Sequence, residues 1–163
     1  MPLVSAITDY FTAPSDEVAT AALDGLLDLD PETDAEVSGP RVQAAASGTP
    51  VLQAKGMEPT VALGRLEAVL TGRTYDEVAS GPRRGSLVAA GEDGDALIVT
   101  VADELRDALA GADAATVAAA ARTWVFDEGY EPSEESAPFL TALAELATGA
   151  VARGDRIYCR ILI

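Results

Sequence analysis

Residues Ser86–Val101 read SLVAAGEDGDALIVTV: two apolar runs, Ser86–Ala90 and Ala96–Val101, around the loop Gly91-Glu92-Asp93-Gly94-Asp95. Branched apolar side chains suit the pleated, half-buried surface of a strand. Gly and Asp in the middle supply the backbone freedom a tight reversal needs. The segment predicts a β-hairpin, and a hairpin makes the sheet antiparallel at its centre. The second run feeds a helix near Asp103 with Leu105, Ala108 and Leu109 turned inward, and Asp113 is placed to cap the next, whose shared face is Val117, Ala121, Trp124 and Val125.

Working outward, Leu3–Thr12 (LVSAITDYFT) and Ile157–Ile163 (IYCRILI) have strand composition. The closing strand is so apolar that it must lie centrally or be covered, because an exposed one would be an aggregation edge. After the first strand, Ser15 can cap a helix that carries Asp16 and Glu17 in its first turn, runs to about Leu23, buries Val18 with Ala22 and stops at Gly25. Pro59 suits the first turn of another, where Leu63, Leu66, Val69 and Leu70 form a helical stripe ending at Gly72. A short turn at Tyr75–Ala79 follows, ended by Gly81-Pro82. Glu128–Glu135 reads as an acidic loop, and Ser133 starts the last long helix, with Phe139, Leu143, Leu146 and Ala150 on one face, Leu140, Ala147 and Val151 beside it, and Gly154 at its end.

Residues 30–50, rich in Pro, Gly, Ser and acid, have no sustained period and read as a flexible surface excursion, with one helical turn expected around Val42–Ala46. The expected architecture is a single α+β domain over residues 1–163. A small, mostly antiparallel sheet (N-terminal strand, central hairpin, C-terminal strand) is covered by about five helices.

Composition narrows the chemistry. The 163-residue chain carries 27 acidic against 11 basic residues, a net charge of −16. Such a charge repels phosphate backbones and anionic membranes, and it suits either plain solubility or docking on a basic protein. Arg83-Arg84 is the one adjacent pair of cations, and two charges do not make a groove. No histidine is present, which removes Ser-His-Asp and Cys-His catalysis and imidazole metal sites. The single cysteine, Cys159, excludes thiolate zinc sites, CxxC pairs and intramolecular disulfides, and its position in the last strand marks it as a buried hydrophobe. There is neither a P-loop nor a GxGxxG sequence. The pairs Asp28-x-Asp30 and Asp93-x-Asp95 are close to what 14 aspartates give by chance, and no EF-hand spacing surrounds them. No cofactor or metal is therefore expected. Met1–Phe11 lacks the basic start of a signal peptide, and no apolar run is long enough to span a membrane, so a cytoplasmic address is expected.

Trp124 is read as a core anchor. The residues left with functional potential are Tyr10, Lys55, Tyr158 and Arg160. Lys55 stands before Gly56 in a loop leading to the Pro59 helix. It is the sole lysine; a desolvated lysine is reactive, but amid so much acid an ordinary ion pair is the simpler expectation.

Three stretches, SAITDYFTAPSDEVA (5–19), AKGMEPTVALGRLEAVLTGRTYDEV (54–78) and IYCRILI (157–163), together resemble small uncharacterised actinobacterial proteins. The order of elements, with the helix-terminal Val69-Leu70-Thr71-Gly72, is similar to that of the YfbM-like family of bacterial proteins of unknown function. The resemblance implies an α+β fold and carries no functional residue to any position here. Two readings follow. The first is a non-enzymatic protein-binding module, immunity-like or regulatory, that meets a basic protein through its acidic surface as a monomer or homodimer. The alternative is a histidine-independent enzyme or small-ligand-binding domain using carboxylate, Tyr, Lys or Arg groups in a cleft beside the sheet.

Overall fold

Six antiparallel strands form one sheet in the order β2-β3-β1-β6-β5-β4. They are β1 (Ile7–Ala13), β2 (Val42–Ala44), β3 (Pro50–Lys55), β4 (Leu87–Ala90), β5 (Ala96–Thr100) and β6 (Arg156–Leu162). The computed structural model describes residues 7–25, 42–45, 47–55, 59–92, 94–124 and 136–162. The helices are α1 (Asp16–Ala19), extended by a 3₁₀ turn over Thr20–Leu23, then α2 (Val61–Thr71), α3 (Tyr75–Ala79), α4 (Asp103–Ala110), α5 (Ala114–Thr123) and α6 (Ala137–Arg153). The fold is α+β, and no described helix is long and apolar enough to cross a membrane.

The hairpin forms as its sequence demands, with Leu97 opposite Ala90 and Ile98 opposite Ala89. The apolar β6 lies between β1 and β5, with Cys159 opposite both Tyr10 and Val99. Both backbone edges of β6 are thereby paired.

One sheet face meets α2, α4, α5 and α6. Tyr10, Leu52, Val99, Ile157 and Cys159 join Leu63, Leu66, Leu105, Leu109, Leu140, Leu143 and Leu146 in the main core. Trp124 is fully buried there, stacked on Phe139 with ring centroids 6.1 Å apart, and its indole N–H donates to the Ala62 carbonyl at 2.8 Å. The opposite face is thinner. Phe11, Val51, Ile98 and Tyr158 are covered by Ala19 and Ala22 of α1 and its 3₁₀ extension.

Four expectations need correction. Val42–Ala44 is the edge strand β2, not a helical turn, and β3 begins at Pro50, so Val42–Ala44 and Pro50 of the expected excursion are built into the sheet. Lys55 closes β3 rather than standing in a loop. Val18 is 42% exposed while Ala19 and Ala22 are buried, because the turn after Ala19 tightens to 3₁₀ and rotates the buried stripe. Val151 is 47% exposed rather than packed beside the Leu140 row. The last helix is described from Ala137; Ser133, the Glu128–Glu135 loop, Val125, Asp28, Asp30, Asp93 and the remainder of 30–50 lie outside the described residues.

Candidate functional site

Polar chemistry concentrates where the α3–β4 loop crosses the end of the sheet. Arg83 has φ 61°, in the left-handed region, and Gly85 follows with φ 71°. A side chain other than Gly, Asn or Asp in that region is strained by about 1–2 kcal/mol, so the surroundings must hold it. They do so through Thr100 on β5: its hydroxyl donates to the Arg83 carbonyl at 2.6 Å and accepts from the Ser86 N–H at 3.1 Å. The kink sends two consecutive guanidinium groups to different partners.

Arg83 turns to the thin face. Its Nη2 donates to Asp16 Oδ1 at 2.9 Å and its Nη1 to Asp16 Oδ2 at 3.3 Å. Tyr158 donates its hydroxyl to the same Asp16 Oδ1 at 2.6 Å, and the guanidinium carbon lies 5.8 Å from the phenol ring centre, within cation–π range. The Arg83 hydrogen bond, seconded by that of Tyr158, holds the Asp16 carboxyl below its ordinary value. Burial and the neighbouring Asp16 push the Tyr158 phenol up to about 12. A phenol held that high stays protonated near neutrality, so Tyr158 meets Asp16 as a hydrogen-bond donor.

Arg84 turns to the helical face. It bonds the carboxylate of Glu67 on α2 and, at 2.6 Å, that of Glu104 on α4. Glu67 has 1% of its side chain exposed and Arg84 has 9%. The pair borders a small, partly open cleft with a cavity volume of about 10 Å³, with Pro59, Thr60, Leu63, Val101 and Leu105 among its walls. Both Arg83 and Arg84 leave a buried Nε without a hydrogen-bond partner among the described residues.

A third ion pair lies beneath the 3₁₀ turn. Arg160 directs Nε and Nη2 at Asp9 Oδ2, at 3.1 and 2.7 Å, and Nη1 at the Ala22 carbonyl at 3.2 Å. Asp9 is 1% exposed, and its Oδ1 has no hydrogen-bond partner among the described residues. The two residues are register partners on β1 and β6.

The structure brings Tyr158 and Arg160 to the same sheet face, two positions apart on β6, each bonded to a different aspartate. Tyr10 lies on the other face, fully buried and edge-on to Phe139 with ring centroids 6.0 Å apart. Lys55 ends β3 opposite Ile7. Cys159 is fully buried. The four candidates do not converge on one cleft.

Sequence reasoning missed Asp9, Asp16, Glu67, Arg83 and Arg84 as a network. Two signals were present. Glu67 sits within the stripe of Leu63, Leu66 and Leu70, where a carboxylate needs a cation, and Arg83-Arg84 is the chain's one adjacent pair of cations. No family model matches the chain, and no curated protein or solved structure is significantly similar to it.

Proposed function

We propose that this chain is a non-catalytic binding module, immunity-like or regulatory, that docks a basic protein through its acidic surface. The observation that carries the reading is the use of arginine. Of the ten arginines, Arg73, Arg83, Arg84, Arg106, Arg153, Arg156 and Arg160 make ion pairs with carboxylates. Arg83, Arg84, Arg106 and Arg160 keep 21% or less of their side chains exposed. Their charge is spent on holding elements together. Glu17, Asp24, Asp76, Glu92, Asp95 and Glu145 stay exposed and form no ion pair with a described residue. The net charge of −16 is thus expressed outward, where it steers a cationic partner and speeds its association.

The ligand-binding alternative receives less support. The Arg84 cleft, at about 10 Å³, has room for about one water and falls far below the roughly 300–1,000 Å³ of ordinary ligand pockets. Its charged groups are already bonded to one another. A cytoplasmic address belongs to the same proposal.

The test is affinity capture followed by a salt series on each identified partner. Screening contracts from about 10 Å at 0.1 M salt to about 3 Å at 1 M, so a docked basic protein should be released across that range. Charge reversal at Glu17, Glu92 and Asp95 should weaken its binding on the order of tenfold or more. Partners that resist both salt and charge reversal would sink the reading.

A further inference from the structure

The outer edge of β4 is paired with no strand among the described residues. β4 is the last strand in the order, paired on one side only, with β5. Its sequence, LVAA, has none of the lysines or prolines that commonly guard an edge. Leu87 is 63% exposed, the most exposed of the large hydrophobics among the described residues. Backbone alternation leaves donors and acceptors free there. The Gly91 N–H bonds inward to the Ala96 carbonyl, so Ala89 also faces β5 and the N–H and C=O of Ala90 point outward. A register shift between Leu87 and Ala89 shortens the regular stretch but leaves that outward pair in place.

The charge around this edge is one-sided. Exposed Glu92 and Asp95 lie in the hairpin loop that β4 enters. At its other end Arg83 and Arg84 are neutralised by Asp16 and by Glu67 with Glu104. The 3₁₀ turn packs Leu23 with Val88 and Ala89 from the thin face, and exposed Glu17 lies on the helix leading into it. A second copy would bring the same acids to the same place, adding −16 to −16. A cationic strand would not.

We propose that the β4 edge receives an extended basic segment of the partner as a seventh strand, with main-chain bonds at Ala90, an apolar side chain against Leu87 and cations toward Glu92 and Asp95. This rests on the acidic-docking reading and gives it a location. Strand addition takes affinity from the backbone and specificity from alternate side chains.

The probe is a synthetic alternating Arg-Val peptide of about eight residues, an ordinary strand length. Its control has the same charge with a proline at the centre, which cannot complete a strand. By calorimetry and amide chemical shifts, the alternating peptide should bind with shifts confined to residues 86–95. The control should bind on the order of tenfold more weakly, the loss expected when backbone pairing is broken. Leu87→Lys and Ala90→Pro, both at exposed positions, should each reduce the difference between the peptides while leaving the circular dichroism unchanged. Equal binding of both peptides, with shifts scattered over the surface, overturns the edge proposal and spares the acidic-docking reading. Absence of binding by either overturns both. Concentration-dependent dimerisation that Leu87→Lys abolishes and the peptide does not compete with assigns the edge to a second copy, and the proposal fails.

Discussion

Asp9 shows how much one side chain can demand of its neighbours. Its carboxylate is buried between strands, satisfied on Oδ2 by Arg160 and left on Oδ1 without a partner among the described residues. Removing the cation leaves an uncompensated buried charge, which typically costs about 3–5 kcal/mol, whereas replacing both members with apolar residues is often neutral. Arg160→Met should therefore lower the urea midpoint strongly, and Asp9→Val combined with Arg160→Met should recover most of the loss. Equal losses in the single and double variants would mean that the pair is not the source. The sequence held a signal for half of this, since Arg160 shares a face with buried Tyr158 in an otherwise apolar strand, where a cation needs an anion. Which acid would answer depended on β1 pairing with β6 in the register that sets Asp9 opposite Arg160.

At the scale of elements, what was readable was what local chemistry decides. Ser15 and Asp113 cap α1 and α5 as their side chains allow, accepting from Val18 and Thr116 N–H groups. Gly72 and Gly154 end α2 and α6 in the left-handed conformation. β2 and β3 were not readable in this way. Gln43, Ala44 and Ala45 have weak strand preference, and only pairing with β1 through β3 makes them extended. The Arg83–Arg84 kink was equally hidden, because its left-handed turn is fixed by Thr100 seventeen residues away. Beside it, a Cβ at Gly85 would lie 2.1 Å from Thr60 Cγ2, on a backbone with φ +71°. Gly85→Ala should cost more than the roughly 1 kcal/mol of an ordinary glycine replacement at positive φ. Thr60→Ser, which deletes the clashing methyl, should return part of that loss in a double-mutant cycle followed by denaturant unfolding. Strict additivity would show that the contact is absent.

For the whole molecule, acid and alkali should act on the same triad from opposite sides. Asp16 has its folded pKa lowered from 3.8, so its contribution is present above that value and is lost as pH falls through the lowered one. Tyr158 has its folded pKa raised from 10.0 to about 12, so its contribution is full below 10 and is lost as pH rises towards 12. Stability should plateau between these limits. Asp16→Asn should flatten the acid limb and bring the Tyr158 phenolate transition, read by ultraviolet absorbance as the difference from a Tyr158→Phe variant, to lower pH. An unchanged acid limb in that variant would remove Asp16 from the account. These ionic events sit on the thin face, whereas the chain's single indole lies in the opposite layer, stacked on Phe139 of α6 and tethered to α2. Intrinsic fluorescence excited at the red edge of absorption is therefore a one-sided reporter. It will register separation of α2, α5 and α6 as a shift to longer wavelength and stay silent when α1 peels from the sheet, so mismatched fluorescence and dichroism transitions would reveal the two layers parting in sequence.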